Sequence, residues 1–233
     1  MALVQWYGHG DTDSTGLFNT TASSATFNTG QTFSSANAVI VLSEFFAGVN
    51  TDNIVSLTVS GTSCTKLAEA DAAGSVKASI WWCATNAGNS DAVVATFAGA
   101  VGQKAGLLSV LEWSNITGLD TGCENSGEQA ASTAPTISTA IPTTTSSELL
   151  VSVSGSSETG STTYVEPSSW TLVGKIQNGA TYDVGGTAYL QDDAAAATKT
   201  ATWAQTNSTT SSNCIAAFKL GFSDPRLMGQ ACL

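Results

Sequence analysis

The chain has 233 residues, of which 42% are hydrophobic and 11% charged, and a formal net charge of −11 with only seven Lys plus Arg. That length suits one large all-β domain or two small ones. So acidic a chain has no basic footprint for nucleic acid and no attraction to an anionic membrane surface, and no apolar stretch approaches the ~20 residues that span a bilayer.

A typical domain carries about 25% charged residues. Here Ser, Thr, Ala, Gly and Asn fill the difference, which predicts a surface polar through hydroxyls and amides. Six Trp and eight Phe spread through the chain argue against disorder.

Residues 1–25 are rich in Gly, Asp, Ser and Thr after an apolar start, Ala2-Leu3-Val4-Gln5-Trp6-Tyr7. They read as an N-terminal arm whose start is an edge strand or docks on a neighbour. A first series of β-type runs follows at 26–27, 38–42, 64–67, 79–82, 95–97 and 107–111. A second series returns in the same order at 136–137, 148–151, 170–173, 187–190, 201–203 and 214–218. The offset, which stays near about 106 to 110 residues, marks an internal repeat, with the first copy at about 26–116 and the second at about 134–220. Residues 117–133 read as a connecting loop, with Gly122, Asn125, Ser126 and Gly127 as turn chemistry. Residues 221–233 form a tail whose Phe222, Leu227, Met228 and Leu233 point to docking.

Within these runs, 107–113 is apolar on both faces and reads as a central, covered strand, whereas 200–203 alternates cleanly with one face to solvent. Trp81 and Trp82 must point to opposite faces, one into a core and the other to an outer face, a rim or a loop. The run 192–197 has helical composition but is too short to stand alone, so it reads as a loop or single turn. About six strands per repeat give an all-β fold: an antiparallel two-sheet β-sandwich, jelly-roll-like, built from two sequence-similar halves. Either the repeats interleave in one sandwich or each forms its own in tandem. The lack of a Pro-rich or charged linker favours the first.

Chemistry is sparse. The single histidine, His9, sits in a Gly-flanked loop, and no serine occupies a G-x-S-x-G turn. Gly185-Gly186 is not followed by the Lys-Ser/Thr of a phosphate loop. Glu44 and Glu112, each at a strand end, are the one carboxylate pair that would suit a glycosidase. Asp11 with Asp13, and Asp192 with Asp193, are oxygen ligands lacking the rest of a calcium loop. Asn19, Asn115 and Asn207 head N-x-S/T triplets that a Thr-rich chain contains by chance. No catalytic, cofactor-binding or metal-binding residue is assigned. Cys64, Cys83, Cys123, Cys214 and Cys232 form no CxxC. Their odd number, without an N-terminal signal segment, predicts buried thiols and synthesis in a reducing cytoplasm.

The segments Ser63-Cys64-Thr65-Lys66-Leu67-Ala68, Ser75-Val76-Lys77-Ala78-Ser79-Ile80-Trp81-Trp82-Cys83-Ala84, Ala92-Val93-Val94-Ala95-Thr96-Phe97 and Ser109-Val110-Leu111-Glu112-Trp113-Ser114-Asn115-Ile116 resemble jelly-roll-like β-sandwich proteins of tailed-bacteriophage virions, and related domains of bacterial surface proteins. Glu148-Leu149-Leu150-Val151, Trp170-Thr171-Leu172 and Ala216-Ala217-Phe218-Lys219-Leu220 continue the resemblance, which spans Thr26 to Leu220. It is a pattern of strands and carries no active residue. It implies a virion structural protein of the capsid decoration (cement) type, with capsid or other virion protein as partner and a homo-oligomer, a trimer by expectation. A carbohydrate-binding module that takes a surface glycan, and a glycan hydrolase resting on Glu44 and Glu112, are the competing expectations.

Overall fold

The structure, a computed structural model, describes residues 3–8, 18–28, 33, 38–47, 53–72, 76–83, 92–99, 104–145, 147–157, 163–176, 184–194 and 196–221. Among them there is no helix, and every paired strand is antiparallel. The first ten strands are β1 (Leu3–Gly8), β2 (Phe18–Thr20), β3 (Ser24–Asn28), β4 (Ala38–Ala47), β5 (Ile54–Val59), β6 (Thr62–Ser63), β7 (Thr65–Ala72), β8 (Val76–Cys83), β9 (Ala92–Phe97) and β10 (Lys104–Trp113). Then come β11 (Ile116–Leu119), β12 (Asn125–Ser132), β13 (Thr136–Ser138), β14 (Glu148–Ser156) and β15 (Tyr164–Val165). The last are β16 (Thr171–Ile176), β17 (Val184–Asp192), β18 (Thr200–Thr202), β19 (Ala204–Gln205) and β20 (Thr209–Leu220).

Two six-stranded sheets dominate. Sheet A has the order β1-β10-β4-β8-β7, with β2 also on β10, and sheet C has the order β11-β20-β14-β17-β16, with β12 also on β20. The long strands of both sheets are apolar on both faces, so one sandwich cannot cover them. The result is four layers rather than the expected two. Sheet B (β3-β9-β5-β6) covers one face of sheet A, sheets A and C pack on each other, and the ribbons β13-β18 and β15-β19 cover the far face of sheet C.

Strand alternation assigns each layer its residues. Val39, Val41, Phe45, Trp81, Leu108 and Val110 face sheet B, where Phe45 meets Phe97 edge-on with ring centroids 5.6 Å apart. Ile40, Leu42, Ile80, Leu111 and Trp113 face sheet C and meet Leu149, Val151, Val153, Ala216 and Phe218. Leu150, Ala188, Ile215 and Ala217 turn to the outer ribbons, against Ile137, Tyr164, Ala201 and Trp203. Fully burying an aliphatic or aromatic side chain of this size is worth about 1.5–3 kcal/mol. Trp81 and Trp82 do point to opposite faces, but neither face is outer: half-buried Trp82 packs between the central sheets on Phe218, centroids 5.9 Å apart.

Three further expectations change. The two parts of the chain do not interleave, since the strands of sheet A lie within 3–113 and those of sheet C within 116–220. Leu3–Gly8, set apart as the start of an arm, is the strand that pairs with β10 from Ser109 to Trp113. The loop read at 117–133 contains β12, a polar and mostly accessible strand with no apolar period, held by its ladder to β20. The tail residues 222–233 lie outside the described residues.

The hydroxyls are not simply a surface coat. Ser43, Ser79, Ser109, Ser152, Ser154, Thr187 and Ser212 are buried, and they bond one another, nearby backbone, or the side chains of Trp203, Tyr164 and Asn213. Ser109 and Thr187 join sheet A to sheet C with their oxygens 2.7 Å apart, while Ser212 donates to Val76 O at 2.9 Å. A buried hydroxyl needs only one or two neutral partners, so such positions fill a β-interior without charge.

Candidate functional site

The carboxylates proposed as a pair are not one. Glu44 lies opposite Leu107 and Glu112 opposite Val39, five positions apart along the β4–β10 ladder and on opposite faces of sheet A. Five positions are about 17 Å at the rise of a strand, beyond the about 5–9.5 Å of a glycosidase pair. Both are fully buried.

Glu44 instead enters a notch in sheet C. Its stem runs over Gly155 and Gly185, which face each other across β14 and β17. A Cβ on Gly155 would stand 2.4 Å from Glu44 Cγ and 2.9 Å from Val76 Cγ1. Both contacts belong to buried side chains between close-packed sheets. Gly155→Ala is therefore expected to cost about 1–3 kcal/mol as overpacking, read from the denaturant midpoint. The same change should cost measurably less on a Glu44→Ala background, because the coupling between the two sites is steric.

The other sequence candidates are occupied by structure or lie elsewhere. Asp192 pairs with Lys199 at 2.6 Å and accepts from Ala194 N at 2.8 Å, while Asp193 accepts from Ser147 Oγ at 3.1 Å. Asn115 donates its amide to Gly221 O at 3.0 Å. His9, Asp11, Asp13 and Cys232 lie outside the described residues, and no group of three or more His, Cys, Asp or Glu among the described residues is arranged to hold a metal ion.

The cysteines need a correction. Cys123 and Cys214 are buried thiols, as expected, but Cys64 and Cys83 form a disulfide. Thr65 pairs with Trp82, so Cys64, one residue before it, falls opposite Cys83 with the Cα atoms 4.4 Å apart. That is the spacing of a directly opposed, non-hydrogen-bonded pair and lies within disulfide range. Burial pushes the Cys214 thiol well up from its ordinary value.

A dense polar cluster among the described residues sits where the two parts of the chain join, and the sequence alone does not single it out. Asp120 follows β11 and donates its backbone N–H to Ala217 O at 2.9 Å, which sets its side chain beside β20. Glu148 opens β14 directly opposite Lys219 of β20. Both acids are about 1% exposed. Asp120 Oδ2 accepts from Thr144 N at 2.6 Å and from the Cys123 thiol at 3.4 Å. Its Oδ1 accepts from Thr144 Oγ1 at 2.5 Å and faces Lys219 Nζ at 3.3 Å. Glu148 Oε1 accepts from Thr145 N at 3.1 Å and Thr145 Oγ1 at 3.0 Å, whereas Oε2 meets no protein donor.

The electrostatics follow from these donors. Burial alone would raise Asp120, but the Thr144 bonds and the hydrogen bond from Glu148 bring it down to about 2. Burial raises Glu148 above its ordinary value, and its bond to Asp120 adds to that. Burial, with the Asp120 hydrogen bond and charge, pushes the Cys123 thiol up to about 12, which leaves no nucleophilic thiolate near neutral pH. The cluster does not activate a nucleophile. The available signal was scarcity: in a chain with so few charges, an acid opening an apolar strand needs a partner.

A shallow open groove of about 180 Å³ is lined by Thr163, Val165, Ala204, Gln205 and Thr206. That is smaller than the about 300–1,000 Å³ usual for small-molecule sites. The aromatic side chains described are buried or half-buried, so none offers an open face to a sugar ring. Comparison of the chain with protein-family models, curated proteins and solved structures gives no match.

Proposed function

We propose that the chain is a non-enzymatic structural protein of a bacteriophage particle, of the capsid decoration kind, assembled in the host cytoplasm. It works by contact with capsid subunits and with copies of itself, a trimer being the expected oligomer. The observation that carries this reading is where the reactive side chains go. Asp71 pairs with Lys77, Asp192 with Lys199 and Asp120 with Lys219, while Glu44 and the buried serines lock the central sheets together. These paired and buried polar groups bind the protein to itself, as a scaffold requires. A disulfide also suits a particle that leaves the reducing cell.

The same proposal takes the fold as a jelly-roll-like sandwich duplicated within the chain. Counted along the chain, the orders of sheets A and C correspond strand for strand. Their edges support this: Leu3 pairs with Trp113 and Gln5 with Glu112 across an irregularity, as Ile116 pairs with Leu220 and Gly118 with Lys219. The sheets also stack in reversed order, β7 over β20 and β10 over β16, with β4 over β14 between them. Two like units around a two-fold axis would pack in this way.

Electron microscopy of particles assembled with and without the chain tests the function, alongside light scattering on the purified protein. Density on the capsid that depends on the chain, with a symmetric oligomer in solution, is the expected result. A strict monomer that leaves particles unchanged and retains glycans on an array overturns it in favour of a carbohydrate-binding module.

A further inference from the structure

We propose that Lys77 and Asp71 condense into an isopeptide bond, a covalent tie between β7 and β8 that the chain makes from its own side chains. The bond is read from the β7–β8 ladder and does not depend on the virion reading. Asp71 lies directly opposite Lys77 in that ladder, and the two side chains form an ion pair. The amine is the unusual member. Lys77 is only 2% exposed, in a chain with just seven Lys plus Arg. On its other side it lies opposite Phe45, part of the core between sheets A and B. Lysine is almost never so buried unless something binds its charge.

The same face of sheet A supplies the remaining groups. Alternation puts Glu69 and Ser79 on the face of Asp71 and Lys77, directly opposite each other and one alternate position along the ladder. Such a diagonal neighbour is within reach of a long side chain. Glu69 is steadied by Lys66 at 2.6 Å and by Asn53 Nδ2 at 3.4 Å. Ser79 Oγ is fixed by Ser43 Oγ at 2.6 Å and by the Trp81 indole N–H at 2.8 Å. The side chain of Asp71 is 36% exposed, so a water released there has a way out.

The step balances without a co-reactant. The Lys77 ammonium passes a proton to the Asp71 carboxylate, leaving an amine and a carboxylic acid. The Nζ lone pair then attacks Asp71 Cγ and a C–N bond forms. Glu69 carries a proton from the nitrogen to a hydroxyl of the tetrahedral centre, the C–O bond breaks and water leaves. One ammonium and one carboxylate become one neutral amide and one water. Groups held in this way reach effective concentrations of about 10⁵–10⁸ M, which opposes the tendency of water to reverse a condensation. The product also removes a charge that is costly to keep out of water.

The test is mass spectrometry of the full chain after reduction, alkylation of the cysteines and digestion with trypsin. Lys66, Lys77 and Lys104 are consecutive lysines in the sequence, with no arginine between them. Trypsin does not cut after an acylated lysine. The expected product is therefore one peptide, 67–104, lighter than its sequence by one water, with fragmentation placing the loss across positions 71 and 77. Asp71→Asn should reach the same product by losing ammonia. Asp71→Ala and Lys77→Arg should give peptides of full mass, cut after position 77, and Glu69→Gln should accumulate the joined peptide more slowly. Cutting after Lys77 in the natural chain, with both peptides at full mass, overturns the bond. A water loss that persists in Lys77→Arg overturns it as well, because the loss then belongs to the aspartate alone. Joining at an unchanged rate in Glu69→Gln overturns the proton transfer given to Glu69. Should a variant not fold, the natural chain's peptide decides the bond by itself.

Discussion

Trp203→Ala is expected to lower stability by about 3–5 kcal/mol, the range for emptying a buried aromatic site. Trp203 lies between β18 and β19 and is fully buried. Its indole N–H donates to Ser152 Oγ at 3.2 Å, and its ring lies 5.5 Å from that of Tyr164. It rests on β17 where that strand has no side chain, since a Cβ on Gly186 would stand 2.7 Å from Trp203 Cζ3. The floor of the site is the ladder of sheet C, which limits how far it can close on the void. The ribbons β13-β18 and β15-β19 have two strands each, and such pairs are marginal alone. Equilibrium denaturation gives the size. Hydrogen exchange gives the place: the outer ribbons should lose protection before sheet A does. A loss under about 1 kcal/mol would mean that the ribbons are held by something other than this ring.

That dependence explains how much of the fold the sequence discloses. Every run picked out by apolar composition falls in or directly beside a strand, among them 38–42 in β4, 79–82 in β8, 107–111 in β10 and 214–218 in β20. These strands are legible because burial on both faces leaves a continuous apolar signature. Residues 200–203 alternate exposed and buried as read. What escapes is whatever depends on a partner strand. Asn125–Ser132 has a loop's composition and is a strand through its ladder to β20. The number of layers is also hidden: a strand apolar on both faces reports that both are covered, without saying by what.

The candidate site was less legible for a related reason. Glu44 and Glu112 invite pairing because acids are scarce, yet alternation turns one toward sheet C and the other toward sheet B. Asp120 and Glu148 are 28 positions apart in the chain and meet because each flanks β20, Asp120 by its bond to Ala217 and Glu148 by its register with Lys219. Only the order β11-β20-β14 makes neighbours of them.

Loss of the Cys64–Cys83 disulfide should have the next largest effect. In the chain-entropy view a crosslink acts on the unfolded state, and for residues separated by 19 positions that amounts to about 3 kcal/mol. The bond sits where the chain passes from β6 in sheet B to β7 in sheet A, so it closes the corner that brings Leu57 and Val59 over Trp81. The thiols of Cys123 and Cys214 are buried and do not complete another bridge. Under denaturing, non-reducing conditions a thiol reagent should therefore modify Cys123 and Cys214 and spare Cys64 and Cys83. Reductant should lower the melting temperature of the natural chain by several degrees, a shift of about 2–4 °C per kcal/mol for a protein of this size. The Cys64→Ser/Cys83→Ser double variant should melt at the lower temperature from the outset and be indifferent to reductant. A natural chain whose melting ignores reductant while Cys64 and Cys83 react freely would restore two buried thiols at this corner.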